Sequence, residues 1–337
     1  MASDAIERLK GAIELEKADE VPVIPIAGQW IAKFSGIPIE QIIHKGEKLF
    51  EGQIKAYEAV GYDILCSYCE CLYTAETLGC KLNLTKTGLQ LAPISIKTVE
   101  DIERIPVPSP GKDGRLPEIL KTVELLSKYS SNQIPVMGAI EGPLTTALRV
   151  IEPDYLMRTI IKGKNFVLRL LEKIADILIT VGEALVERGV NILFIPDPVA
   201  SSSMISLKTV DEIAFPSLKR LVKSIKVPSI LHICGDSTQI LNMMVKTSAS
   251  VLSVEQCMNL SLVREKVGWE TVIGGNIDPV RVLLFGNSED IYSEVHRCLA
   301  AGGIRRFILM TGCSISPDTP VDNLRTVVLA ARKFRFA

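Results

Sequence analysis

Short runs of β-branched and aliphatic residues recur along the chain, and longer stretches with helical spacing of apolar positions separate most of them. Eight such runs predict strands at 21–26, 62–66, 134–140, 191–195, 228–234, 250–255, 271–276 and 306–310. Helical patterns are predicted over 1–17, 39–60, 116–129 and 144–188, the last broken around Glu152-Pro153-Asp154. Further ones follow over 207–226, 287–301 and 320–333. Residues 81–114, with Pro93, Pro106, Pro108 and Pro110, read as an irregular insertion. Alternating strands and helices indicate a parallel sheet covered by helices, and eight repeats of the unit predict an α/β fold, the (β/α)8 TIM barrel. A doubly wound open sheet is the competing layout, but no glycine-rich dinucleotide loop follows the first strand. The expected organisation is one barrel domain over 1–337, with an N-terminal helix in 1–20 and the insertion at 81–114.

Composition narrows the setting. The 337 residues are 47% hydrophobic and 23% charged, with a formal net charge of −1. Nucleic acid is not the expected partner, because neutralising phosphates takes a basic face. The N-terminal 20 residues form a charged amphipathic pattern without the apolar centre of a signal peptide. No apolar run reaches the roughly 18 residues a membrane helix needs. Four of eight cysteines cluster (Cys66, Cys69, Cys71, Cys80) and the rest scatter, unlike a small disulfide-stapled domain. A cytoplasmic enzyme with reduced thiols is the expectation.

The candidate chemistry sits at the strand ends, where a barrel carries its active site. The run Ser229 to Asp236 holds His232 and Cys234 two apart near the end of a strand, so their side chains point the same way. Imidazole and thiolate are both zinc ligands. Cys313 stands just past the eighth strand, and barrel closure can bring it to the same mouth. His232, Cys234 and Cys313 then make a Cys2His set with one position open, the arrangement of a catalytic Zn2+ site. Two thiolates and a neutral imidazole cancel the metal's charge, which favours activation of a thiol over generation of hydroxide. Glu255 is the candidate fourth ligand at rest. Glu141, Asp197, Asn276 and Asp278, also at strand ends, are candidates for orienting the thiol or its partner, or else for capping loops and helices. The Cys66–Cys80 cluster lacks zinc-ribbon spacing, and His44 and His296 fall on helical stretches as surface or packing residues.

At these residues the sequence resembles a known family. The His232-Ile233-Cys234-Gly235 run, Asp197-Pro198, Ser253-Val254-Glu255 and the stretch from Gly312 to Pro320 resemble the uroporphyrinogen decarboxylase superfamily. Within it they match the methylcobalamin:coenzyme M methyltransferase branch. The likeness extends to Asp19-Glu20-Val21-Pro22-Val23, Leu78-Gly79-Cys80 and Ile140-Glu141-Gly142-Pro143. It implies that His232, Cys234 and Cys313 bind zinc. It also implies that an acceptor thiol, coenzyme M or a similar small molecule, takes a methyl group from a methylcorrinoid held by a separate corrinoid protein.

Two other functions compete. Decarboxylation of a porphyrinogen is disfavoured, because no arginine occurs between Arg8 and Arg104 and Ala27-Gly28-Gln29-Trp30 occupies the place of that reaction's arginine signature. A non-catalytic corrinoid- or thiol-binding protein is the other. Homocysteine or another thiol remains open as acceptor.

Overall fold

A computed structural model describes residues 5–14, 20–85 and 88–335. Ten strands are present among them. β1 (Val23–Ile24), β2 (Leu65–Cys66), β5 (Val136–Ala139), β6 (Ile192–Pro196), β7 (Ser229–His232), β8 (Val251–Ser253), β9 (Val272–Ile277) and β10 (Phe307–Thr311) form one sheet. Each overlaps one of the eight predicted runs, with β6, β9 and β10 ending one residue beyond them. They pair in parallel in the order β1-β10-β9-β8-β7-β6-β5-β2, as in a TIM barrel. The strands are almost wholly buried apolar runs, as expected where side chains fill the barrel on one face and meet helices on the other.

β1 and β2, at the two ends of this order, share no ladder. Asp63 bridges them: its N–H donates to the Val23 carbonyl at 2.9 Å, and its carboxylate accepts the Val23 N–H at 2.7 Å. Flanking prolines (Pro22 and Pro25) shorten β1, because each lacks a ladder donor. A side chain therefore supplies a bond the ladder lacks. The Asp63 carboxylate, 1% exposed, also receives Arg8 from the helix Ala5–Glu14 and Arg332 from the closing helix Val321–Lys333, at 2.6 Å each. Both terminal helices are thus tied to the strand-start end, opposite the mouth.

The insertion departs from its irregular reading. Lys81–Thr85 (β3) and Gly88–Ala92 (β4) pair as an antiparallel hairpin, with Leu82 opposite Leu91 and Leu84 opposite Leu89. The alternation of leucine with polar residues in Lys81-Leu82-Asn83-Leu84-Thr85 was the signal for it. A short helix, Val99–Glu103, follows with a capping box between Thr98 and Asp101. The predicted helix over 39–60 is two, Ile39–His44 and Gly46–Val60, since Lys45 is extended. Residues 1–4 and 15–19 of the predicted N-terminal segment lie outside the described residues. No helix among the described residues is long and apolar enough to cross a membrane.

Asp63→Ala should lower unfolding stability by about 3–5 kcal/mol, because it strands two guanidinium groups and a buried N–H together. Urea denaturation checks this, and a loss below about 1 kcal/mol would show that ring closure does not depend on Asp63.

Candidate metal centre

β7 ends at His232, whose neighbours in register are Pro196 on β6 and Ser253 on β8. The Ser253 Oγ lies 3.1 Å from His232 Nδ1, and this contact orients the ring so that Nε2 faces the barrel mouth. Phe194 stacks beside the imidazole at 5.9 Å between centroids, and Tyr68 stacks on Phe194 at 6.1 Å. Past the strand, Cys234 Sγ sits 3.4 Å from His232 Nε2. Gly235, at φ 82°, then turns the chain, a backbone state that other residues adopt at a cost.

Cys313 arrives from the loop after β10. The preceding residue has to be glycine: a Cβ on Gly312 would lie 2.4 Å from the Gln256 backbone nitrogen. Without a side chain there, the loops after β10 and β8 abut, and Cys313 reaches Cys234 and Glu255. The ligand atoms of His232, Cys234, Glu255 and Cys313 all lie within 4.8 Å of one another. Among the described residues no other group of three or more His, Cys, Asp or Glu side chains converges in this way. Cys66, Cys69, Cys71 and Cys80 do not form a second such cluster.

The electrostatics separate this pair from the remaining thiols. A hydrogen bond from Cys234, reinforced by His232, holds the Cys313 thiol well below the usual range, against the opposing effect of burial. The same bond, together with burial and the nearby Glu255, pushes Cys234 far up. Of the two sulfurs, Cys313 is the one held toward the thiolate form. Burial alone raises Cys66 to about 12, and burial first of all raises Cys80 to about 11 and drives Cys69 and Cys71 well up. These four are inert by comparison.

The donor set fits zinc. With Zn–N and Zn–S bonds of roughly 2.0–2.1 and 2.3 Å, a tetrahedral N–S edge is about 3.6 Å, close to the 3.4 Å separation seen here. Ser253 occupies Nδ1 and leaves Nε2 as the free donor, the supporting bond that metal-binding imidazoles ordinarily have. A cleft of about 390 Å3 opens beside these residues, with His232, Cys234, Cys313 and Glu141 in its lining.

The other strand-end candidates divide. Glu141 lines the cleft, with Oε1 3.4 Å from Arg149 Nη2 and Oε2 without a hydrogen-bond partner; burial pushes its carboxyl up to about 7. Asp197 is fully buried behind the cleft, where Oδ1 accepts Thr145 N–H at 2.9 Å and its hydroxyl at 2.6 Å in the first turn of the helix Pro143–Val150. Asn276 is buried too; its Nδ2 donates to the carbonyls of Glu255 (2.8 Å) and Met258 (2.7 Å), fixing the loop that carries Glu255. Asp278 accepts the N–H groups of Val280 and Arg281 and caps its own turn. Neither Asp197, Asn276 nor Asp278 lines the cleft.

Sequence reasoning missed three contributors. Ser253 was visible only as a small residue beside Glu255, and its bond to His232 follows from strand register. Phe194 passes for ordinary strand core. Glu70 lines the cleft, held by Arg115 at 2.6 Å, which also grips Glu76 at 2.6 Å; nothing in the local pattern pairs residues so far apart.

Residues 4–334 match the model of the uroporphyrinogen decarboxylase (URO-D) family. The chain belongs to the uroporphyrinogen decarboxylase family. Among its relatives in that family, the methylcobamide:CoM methyltransferase MtbA of Methanosarcina mazei is 30% identical, with 98% of each chain covered. The methylcobamide:CoM methyltransferase MtaA of Methanosarcina barkeri is 27% identical over 97% of each. A solved structure of a methyltransferase from Methanosarcina mazei superposes with a TM-score of 0.90 at 24% identity, covering 98% of this chain and 99% of that one. This likeness bears on the fold, and it agrees with the barrel described above.

In metal-free protein at pH 6, iodoacetamide should alkylate Cys313 at least tenfold faster than Cys66, Cys69 or Cys80, and Cys234→Ala should slow it. Peptide mapping by mass spectrometry reads this. Equal labelling of all the cysteines would contradict the downward shift of the Cys313 thiol.

Proposed function

We propose that the chain is a zinc-dependent methyltransferase that moves a methyl group from a methylated corrinoid, carried by a separate corrinoid protein, to a small thiol. The convergence of His232, Cys234 and Cys313 beside an open cleft carries this reading. The names of the relatives support the donor and the kind of acceptor. The whole chain works as one barrel unit.

His232, Cys234 and Cys313 would hold the metal, and Glu255, whose ligand oxygen lies within 4.8 Å of theirs, would be a fourth donor that an acceptor could displace. A zinc ion there lowers the pKa of an incoming thiol, while the charge of two thiolate ligands keeps that thiol's sulfur electron-rich. The protein's own groups set the stage for this. Ser253 fixes the imidazole, Asn276 holds the Glu255 loop, and Gly312 lets Cys313 close in. Phe194 and Tyr68 wall off one side of the imidazole, which strengthens the interactions among the donors by keeping solvent away.

In the reaction the acceptor sulfur forms a bond to the methyl carbon as the cobalt–carbon bond breaks. The electron pair of that bond stays on the corrinoid, whose cobalt passes from Co(III) to Co(I). The thiol proton leaves to solvent, and the products are a thioether and the reduced corrinoid. Holding the sulfur at a fixed point facing the mouth supplies the orientation that an in-line transfer needs.

Decarboxylation of a porphyrinogen fits the cleft poorly. A substrate with many carboxylates calls for cationic partners, and no arginine or lysine is among the residues lining the cleft.

Zinc-loaded protein mixed with methylcobalamin and excess thiol should bleach the methylcobalamin spectrum, and Cys313→Ser should reduce the rate at least 100-fold. An absence of thiol-dependent demethylation with zinc bound would refute methyl transfer.

A further inference from the structure

The hydrogen bonds that hold the metal donors do not stop at the mouth; they lead outward to a charged side chain on the flank of the barrel. The loop from Glu255 to Met258 is their common support. It carries Glu255, and its Gln256 nitrogen abuts Gly312, the residue before Cys313. At its far end the Met258 sulfur accepts the Ser237 hydroxyl at 3.1 Å, in the turn that follows Cys234. One short loop thus braces the segments bearing both cysteines and presents its own carboxylate.

Asn276 fixes this loop and can do so in one orientation only. Its Nδ2 donates to the carbonyls of Glu255 and Met258, at 2.8 and 2.7 Å. Turned over, the amide would set its oxygen against those two carbonyl oxygens. Oδ1 therefore points the other way, in a residue with no exposed surface, and needs a donor there. Arg297 supplies it, with Nη2 3.0 Å from Oδ1. The alternative is the Cys298 thiol, a weak donor at 3.7 Å. Arg297 belongs to the helix Ser288–Gly302, and its side chain is 42% exposed. Glu294, one turn earlier on that helix, grips the guanidinium through Nε and Nη2, both at 2.8 Å. A chain of bonds thus runs from Glu294 through Arg297 and Asn276 to the backbone of Glu255.

Resting on the zinc reading above, we propose that Arg297 is a positioning residue for the metal centre. By holding the Asn276 amide in one orientation, it fixes the loop that carries Glu255 and braces Cys234 and Cys313. Its own polar contacts are Glu294, Asn276 and the Cys298 sulfur, none of them a metal donor, so it acts through Asn276. Removing such a supporting bond typically weakens metal binding by about 10–100-fold.

Zinc affinity, read by competition with a chromophoric chelator, and the spectrum of the cobalt-substituted protein test this. Wild type should bind one equivalent and show cobalt–thiolate charge transfer; failure there would overturn the zinc reading and this proposal with it. Where wild type binds, Arg297→Met should weaken zinc at least about tenfold and shift the cobalt ligand-field bands. Arg297→Lys, which keeps a cationic donor, should recover much of both. In an Asn276→Ala background Arg297→Met should add less than about twofold, because the residue it acts through is gone. Wild-type zinc affinity and cobalt spectrum in Arg297→Met would overturn the proposal, as would an undiminished loss in the Asn276→Ala background. Should either variant fail to fold, Glu294→Gln loosens the same chain from its outer end. Zinc binding weakened about threefold with shifted cobalt bands is expected there, and wild-type values would overturn the proposal.

Discussion

Closure of the strand ring is the constraint on which the site depends. His232 lies on β7, Glu255 follows β8 and Cys313 follows β10, and no local interaction could gather residues so far apart along the chain. Parallel pairing aligns the strand ends at one mouth, and register then sets finer distances: His232 stands opposite Ser253, which accounts for the bond at Nδ1. The strand-start end is secured independently by Asp63, which joins β1 to the approach of β2 and anchors a helix from each terminus. Stability and chemistry thus occupy opposite ends of the barrel, a division that lets the mouth hold strained or unpaired groups while the base holds the ring together.

The mouth concentrates groups that burial would otherwise neutralise. Cys313 is held toward the thiolate by Cys234, Glu141 keeps one oxygen unbonded, and Asp197 has an unpartnered Oδ2 behind it. Each is costly in a low-dielectric interior, and such costs persist where a ligand relieves them. Arg115 and Arg149 pair with Glu70 and Glu141 and offset their charge.

Much of this was legible in the sequence, for identifiable reasons. Fully buried parallel strands read as apolar runs, so all eight were found, with ends shifted by a few residues where prolines and turns trimmed the ladders. His232 and Cys234 were visible because they lie two residues apart at a strand end. The run 228–234 places Cys234 within the strand, whereas β7 stops at His232 and Cys234 stands just past it. Cys313 needed the additional premise of a closed barrel. The hairpin at 81–92 was missed because the nearby prolines outweighed its leucine alternation. Ser253, Phe194 and the Arg115 bridge were hidden for a different reason: their roles arise from register and from packing between elements distant in sequence, and the residues themselves look ordinary. Asp197, Asn276 and Asp278 were flagged by position at strand ends, which does not distinguish a group facing the cleft from one that caps a turn beneath it.

X-ray absorption at the zinc edge tests the central claim most directly. In resting protein carrying one zinc per chain, the account predicts two sulfur neighbours at about 2.3 Å and two nitrogen or oxygen neighbours at about 2.0–2.2 Å. Adding an acceptor thiol should raise the sulfur count to three. A shell of nitrogen and oxygen alone, or one unaltered by both Cys313→Ser and added thiol, would contradict it.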